Sequence, residues 1–199
     1  NHDYYVINVT LGISVTFSCA EQEEATDEKP QNTYITRAIE ANDARAYINL
    51  QEELFTQSSF GYYTAEERNL TVQQVRKTIT EWRKEKTSTV LLCIYNGQFA
   101  GYAKMLGNTA SRTKHIASVR IAIHADFQQK GLATVLLKEA EKWAYTNAIS
   151  RLEASVTTTN TNAQKLFDKL NYSKEGTRAQ AIKIDEQFVD EVLYSKILV

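Results

Sequence analysis

The segment that constrains this chain most is IHADFQQKGLATVLLKEAEKWA, Ile123 to Ala144. A run that reads as strand, Ile121 to Ile123, stops at a polar turn and gives way to a helix with Leu132, Val135, Leu136, Ala140 and Trp143 at helical spacing. Lys130, Gly131 and Leu132 fall in the expected first turn of that helix. Glycine inside a helix costs about 1 kcal/mol relative to alanine, so its presence points to something lying close to the backbone. A strand, a glycine-bearing turn and a helix N-terminus together form an anion site. The unpaired N–H groups of the first turn point outward, the helix dipole adds partial positive charge, and a residue without Cβ admits a phosphate. Two other phosphate loops are excluded by spelling, because neither GxxxxGK followed by Ser or Thr nor GxGxxG occurs here.

With 199 residues, 43% of them hydrophobic, the chain can bury one sizeable core. The formal net charge of -1 argues against binding nucleic acid through a broad basic surface. Cys19 and Cys93 have no CxxC spacing and are too few for a disulfide framework, and His2, His115 and His124 make no metal-ligand cluster. A reducing cytoplasm and the absence of a metal are therefore expected. No apolar stretch reaches the roughly 18 residues that a membrane-spanning helix needs, so no membrane partner is expected.

Residues 1–32 read as an extension to a single domain spanning 33–199. In VINVTLGISVTFSCA the apolar residues alternate from Ile7 to Phe17, which predicts a half-buried strand rather than a leader, since no basic segment precedes it. The acidic EQEEATDEKPQN, with the only proline of the chain, predicts a solvated linker. The strand is expected to cover a sheet edge or to pair with a second copy as a homodimer.

Beyond the linker the pattern is mixed α and β. TYITRAI predicts a short strand. Asp43 is positioned to cap a helix carrying Tyr47, Ile48, Leu54 and Phe55, and Thr71 with Gln74 spells a capping box for a second, with Val72, Val75, Ile79 and Trp82 on one face. TVLLCIY and QFAGYAKML flank Asn96-Gly97, the strongest short hairpin signal. HIASVRIAI predicts the strand before the glycine-bearing helix, RLEASV another strand, NAQKLFDKL a short helix, and Tyr172 to Leu198 two final strands.

QQKGLA, Gln128 to Ala133, resembles the Q/R-x-x-G-x-G/A signature of the GNAT superfamily of acyl-CoA-dependent N-acyltransferases. NTNAQKLFDKLNY, Asn160 to Tyr172, resembles the later N-x-x-A-x-x-L-Y-x-K-x-G-F segment of that family. The resemblance covers roughly residues 33–199 and implies an α/β GNAT fold, a mixed and mostly antiparallel sheet flanked by helices. It implies acetyl-CoA as co-substrate. Backbone groups of Ile121, Ala122 and Ile123 would bond the pantetheine arm, and main-chain N–H groups across Gln128, Gln129, Lys130, Gly131, Leu132, Ala133 and Thr134 would cradle the pyrophosphate. Asn160 would hold the pantetheine, and Phe167 and Lys169 would lie near the thioester and the nucleotide. By residue type alone, Asn160 is equally suited to be a helix N-cap.

The implied chemistry is transfer of an acetyl group to a primary amine, on a small molecule or a protein N-terminus. It needs a base for the amine and a backbone N–H for the oxyanion. Glu153 is the leading base candidate, ahead of His115 and His124, with a solvated or salt-bridged role as its alternative. Many family members place a tyrosine as acid where this chain has Phe167, so Tyr172 or a water is the substitute candidate. Phe60, Tyr62 and Glu67, in the aromatic and acidic stretch after the first helix, are candidates to hold a cationic acceptor. A non-catalytic acyl-CoA-binding or sensing module is the rival function, and an interaction protein built on the N-terminal strand is a third.

Overall fold

The computed structural model describes residues 33–57 and 70–198. The expected N-terminal strand and linker lie outside them, as do Phe60, Tyr62 and Glu67. In chain order the elements are β1 (Tyr34–Ala38), α1 (Ala44–Gln57), α2 (Val72–Glu85), β2 (Ser88–Tyr95), β3 (Gln98–Gly107), β4 (Ile116–Ile123), α3 (Leu132–Thr146), β5 (Arg151–Thr157), α4 (Thr161–Lys169), β6 (Ser173–Ile184) and β7 (Gln187–Ile197).

Local signals account for most of these boundaries. Asn96 and Gly97 take φ of 48° and 83°, both left-handed, and close the β2–β3 hairpin with Tyr95 opposite Gln98. The Thr71 hydroxyl accepts the Gln74 N–H at 3.2 Å while Gln74 Oε1 accepts the Thr71 N–H at 2.8 Å, so the expected capping box starts α2. The start of α1 differs from expectation. A 3-10 turn, Ala41–Asp43, precedes the helix with Glu40 as its cap, and Asp43 sits three residues in, its carboxylate accepting the Glu40 N–H at 2.8 Å. Arg37 on β1 donates to the same carboxylate at 2.6 and 2.8 Å. Burial pushes the Asp43 carboxyl upward, but the bonds from Arg37 and Glu40 outweigh it and hold the group below its ordinary value.

The strands form one sheet in the order β1-β2-β3-β4-β5-β7-β6, antiparallel throughout except for β4 against β5. Both faces of its centre are buried, which explains why β2 reads as a continuous apolar run rather than an alternating one. Leu91 and Cys93 join Leu132, Leu136, Leu137 and Ala140 of α3 in one core; Val90 and Leu92 join Tyr47, Leu50, Val75 and Ile79 of α1 and α2 in the other. Burial pushes the Cys93 thiol up to about 11, so it behaves as a small core residue. Among the described residues no helix is long and apolar enough to cross a membrane, and no group of three or more His, Cys, Asp or Glu is placed to hold a metal ion.

Candidate functional site

β4 and β5 share only three rungs, Ile116–Arg151, Ala117–Leu152 and Ser118–Glu153. Both strands then continue, β4 to Ile123 in register with β3 and β5 to Thr157 in register with β7, so the centre of the sheet opens into a wedge-shaped gap. The hydrogen bonds at the two ends of the β3–β4 ladder, His124 N–H to the Ala100 carbonyl at 2.9 Å and Asn108 N–H to the Ile116 carbonyl at 3.2 Å, set its parity. Even-numbered residues of β4 bond to β3, and odd-numbered ones direct their N–H and C=O toward β5. Ile121 and Ile123 therefore present backbone groups to the gap, whereas the backbone of Ala122 belongs to the ladder with Tyr102 of β3. Of the three residues expected to meet a pantetheine arm, Ala122 is turned away. The Ile123 carbonyl receives Gln128 Nε2 at 3.2 Å. At the mouth, β3 approaches β4 so closely that a Cβ on Gly101 would lie 2.5 Å from the Ala122 carbonyl oxygen, which requires glycine there.

From Ile123 the chain passes through a 3-10 turn, Ala125–Phe127, to the start of α3. Gly131 stands one residue ahead of the helix, as its N-cap, with φ of 79°. This left-handed geometry explains the glycine more directly than helix propensity does. A Cβ built on Gly131 meets nothing within 4 Å, so the space in front of the helix is open. The first helical bond runs from Val135 N–H to the Gly131 carbonyl at 3.2 Å, leaving the amides of Leu132, Ala133 and Thr134 without intrahelical acceptors. Leu132 is buried and anchors this end in the core, Gln129 is left-handed at φ 60°, and Lys130 places Nζ 5.7 Å from the ring centroid of Tyr95.

Across the gap, Asn160 caps α4, its Oδ1 accepting the Ala163 N–H at 3.0 Å. Phe167 is buried, stacked on Tyr194 at 5.3 Å and edge-on to Tyr172 at 5.0 Å. Lys169 closes α4, roughly 13 Å along the axis from its start. Asn171 takes φ of 59° where the resembled motif has glycine, a left-handed role that asparagine also fills.

The two catalytic candidates fall at the closed end of the wedge. Glu153 belongs to the last shared rung, and its carboxylate accepts from Arg151 Nε at 2.7 Å. Arg151 also binds Glu175, which in turn accepts the Ser195 hydroxyl at 2.6 Å. The Tyr172 hydroxyl is buried, and its ring lies 5.4 Å from Lys196 Nζ, which is 2.8 Å from Glu141. Lys196 pairs with Leu152, on the middle rung. Burial first and the Glu141 carboxylate second push the Tyr172 phenol upward, so it holds its proton firmly.

The sequence matches the acetyltransferase (GNAT) family over residues 47–172. The chain belongs to the GNAT acetyltransferase family. It is 26% identical to the acetyltransferase of GNAT family from Streptococcus pneumoniae, with a TM-score of 0.79 over 82% of this chain and 99% of that one. A ribosomal-protein-alanine N-acetyltransferase from Brucella melitensis, 17% identical, shares the fold with a TM-score of 0.73 over 82% and 99%. So does a GNAT superfamily phosphinothricin acetyltransferase from Sinorhizobium meliloti solved with acetyl-CoA, 14% identical, with a TM-score of 0.73 over 83% and 88%. No curated protein matches the sequence.

In this GNAT chain two features of α1 add to the expected site. Gln51 is buried within its apolar face, Nε2 donating to the hydroxyls of Tyr47 at 3.0 Å and Tyr102 at 3.4 Å, directly behind Ala122. A glutamine four residues after Tyr47 in an apolar stripe was a readable signal. Gln57 bonds to Ala125 and contacts His124, partners 68 and 67 residues away, and no local pattern announces such contacts.

Proposed function

We propose that this protein is an N-acetyltransferase that moves the acetyl group of acetyl-CoA to a primary amine on a small molecule or a protein N-terminus. The observation that carries this is the wedge between β4 and β5 opening beside the empty space at Gly131. An extended pantetheine arm fits the gap as a strand-like partner of Ile121 and Ile123, and a pyrophosphate fits the amides from Gln129 to Thr134; of the expected cradle, the Gln128 N–H is already bonded to the Ala125 carbonyl at 3.2 Å. Acceptors of both kinds are named in the relatives, phosphinothricin in one and a ribosomal-protein alanine in another.

In this chemistry the amine gives up a proton and attacks the thioester carbon. The C–N bond forms, the oxyanion is held by a gap-facing N–H such as that of Ile121, and the C–S bond breaks to release CoA. Glu153, at the vertex and on the sheet face opposite Leu152 and Ala154, is our candidate to take the amine proton through water. We place the reaction in a reducing cytoplasm, without metal, nucleic acid or membrane, and keep residues 1–32 as the candidate homodimer contact.

One observation favours the sensing alternative. Phe167 offers no proton, and both neighbouring phenols, on Tyr172 and Tyr194, are buried. Calorimetry with acetyl-CoA followed by thiol release across an amine panel separates the two: binding with release supports the enzyme, and binding without release from any amine supports the sensor.

A further inference from the structure

We propose that Gln57 is a positioning residue that ties helix α1 to the acetyl-CoA loop by holding the backbone at Ala125 against His124. The identity of the ligand rests on the function proposed above; the contact itself does not.

Gln57 is the last residue of α1, and its amide reaches two consecutive residues at the point where β4 becomes the loop. Oε1 accepts the Ala125 N–H at 3.1 Å, and Nε2 lies 2.7 Å from His124 Nε2. The first bond fixes the orientation of the amide, because a flipped NH2 would face another donor. Nε2 therefore faces His124 Nε2. His124 Nδ1 accepts the Asp126 N–H at 3.3 Å, which caps the 3-10 turn, and faces Asp126 Oδ2 at 3.7 Å. Glu53 Oε2, 3.7 Å from Nε2, and the Phe127 ring, 5.8 Å away, are the other groups facing the imidazole.

The place of these bonds gives them their effect. His124 follows Ile123, whose carbonyl is held by Gln128, and Ala125 opens the turn that leads to Gly131. Gln57 thus grips the joint between the gap-lining strand and the anion loop. The helix it ends carries Tyr47 and Gln51 behind Ala122, on the opposite face of the sheet from α3. A shift of α1 is transmitted to the loop, and a ligand in the loop acts back on α1, since coupling between two sites is reciprocal.

Gln57→Ala removes both contacts from an exposed helix end and is expected to weaken acetyl-CoA binding about 3–10-fold by calorimetry with the melting temperature unchanged, the range that one or two partly exposed hydrogen bonds give. Gln57→Glu keeps an oxygen for the Ala125 N–H but offers His124 an acceptor. Exchange of the Ala125 amide in the ligand-free protein should then speed up at least about 5-fold in Gln57→Ala and stay near wild type in Gln57→Glu. An Ala125 amide that exchanges equally fast in wild type and Gln57→Ala, or acetyl-CoA affinity within twofold of wild type in folded Gln57→Ala, overturns the proposal. If the wild type binds no acetyl-CoA, the proposed function and the link to the loop fail together, and the ligand-free exchange of Ala125 still decides the Gln57 contact.

Discussion

Ser118 and Glu153 form the last rung shared by β4 and β5, and the strands part immediately after it. In an unbroken sheet, the backbone of Ile121 would bond to β5. Here it faces the gap, while Ala122 one residue on stays in the ladder with Tyr102. The proposed acetyl-CoA site is therefore a missing stretch of pairing.

This parity predicts a hydrogen-exchange pattern. The Ile121 amide is expected to exchange at least about 10-fold faster than that of Ala122 in the free protein, because only the latter is bonded, and to slow on addition of acetyl-CoA. Residue-resolved exchange by NMR measures both. Equal protection of the two amides in the free protein would mean that the gap is closed in solution.

The second prediction uses two glycines that are both left-handed in φ. Gly97 and Gly131 have φ of 83° and 79°, and neither has an atom within 4 Å of a built Cβ. Alanine at either position should cost about 1–2 kcal/mol from left-handed strain. Only Gly131→Ala should also weaken acetyl-CoA binding, because its Cβ projects into the open space before α3. Thermal melts with calorimetry compare them, and matched losses of affinity in both variants would assign the effect to stability alone.

The pattern of what the sequence disclosed follows from the range of the interactions. The Thr71–Gln74 box, the Asn96-Gly97 turn and the Asn160 cap are settled within a few residues, so their spelling suffices. The termination of the β4–β5 ladder depends on register between strands more than thirty residues apart, and only the likeness of QQKGLA and the Asn160–Tyr172 segment to a family pointed to it. Asp43 has the residue type of a cap, but the bond with Arg37 on β1 sets its position. Tyr172 is a phenol close in sequence to Phe167, but the turn after α4 carries it toward Glu141 and Lys196.

Asp43 and Arg37 predict a pH dependence of stability. The folded carboxyl lies below its unfolded value of about 3.9, so its contribution is fully present above that pH and is lost as pH falls through the folded value. Asp43→Asn should cost about 1–3 kcal/mol at neutral pH, where charge-assisted bonds from Arg37 and the Glu40 N–H are replaced by weaker ones. The gap between wild type and variant should stay level from pH 8 to 5 and narrow below about pH 4. Denaturant melts at several pH values read it directly, and a gap that widens in acid would reverse the assignment.

The last prediction concerns the leaving thiolate. Phe167 stands at the motif position where the family pattern has tyrosine, and its ring is held between Tyr194 and Tyr172. An unperturbed thiol has a pKa near 8.5 and leaves readily as the thiolate, so transfer without a positioned acid is slow rather than forbidden. Positioned proton transfer contributes typically about 10²–10⁴-fold. Phe167→Tyr should accordingly increase kcat by at least about 10-fold with acetyl-CoA affinity unchanged, because the added hydroxyl acts only as the C–S bond breaks. Tyr172→Phe should leave kcat within about twofold, because the hydroxyl it removes is buried and faces the Glu141 carboxylate. Steady-state kinetics of both variants with an amine that supports turnover test the pair. If Phe167→Tyr leaves kcat unchanged and folded Tyr172→Phe abolishes it, the proton comes from the closed end of the wedge, beside Glu141, and the acetyl group sits deeper between β4 and β5 than the last rung at Ser118 and Glu153 allows in the ligand-free chain.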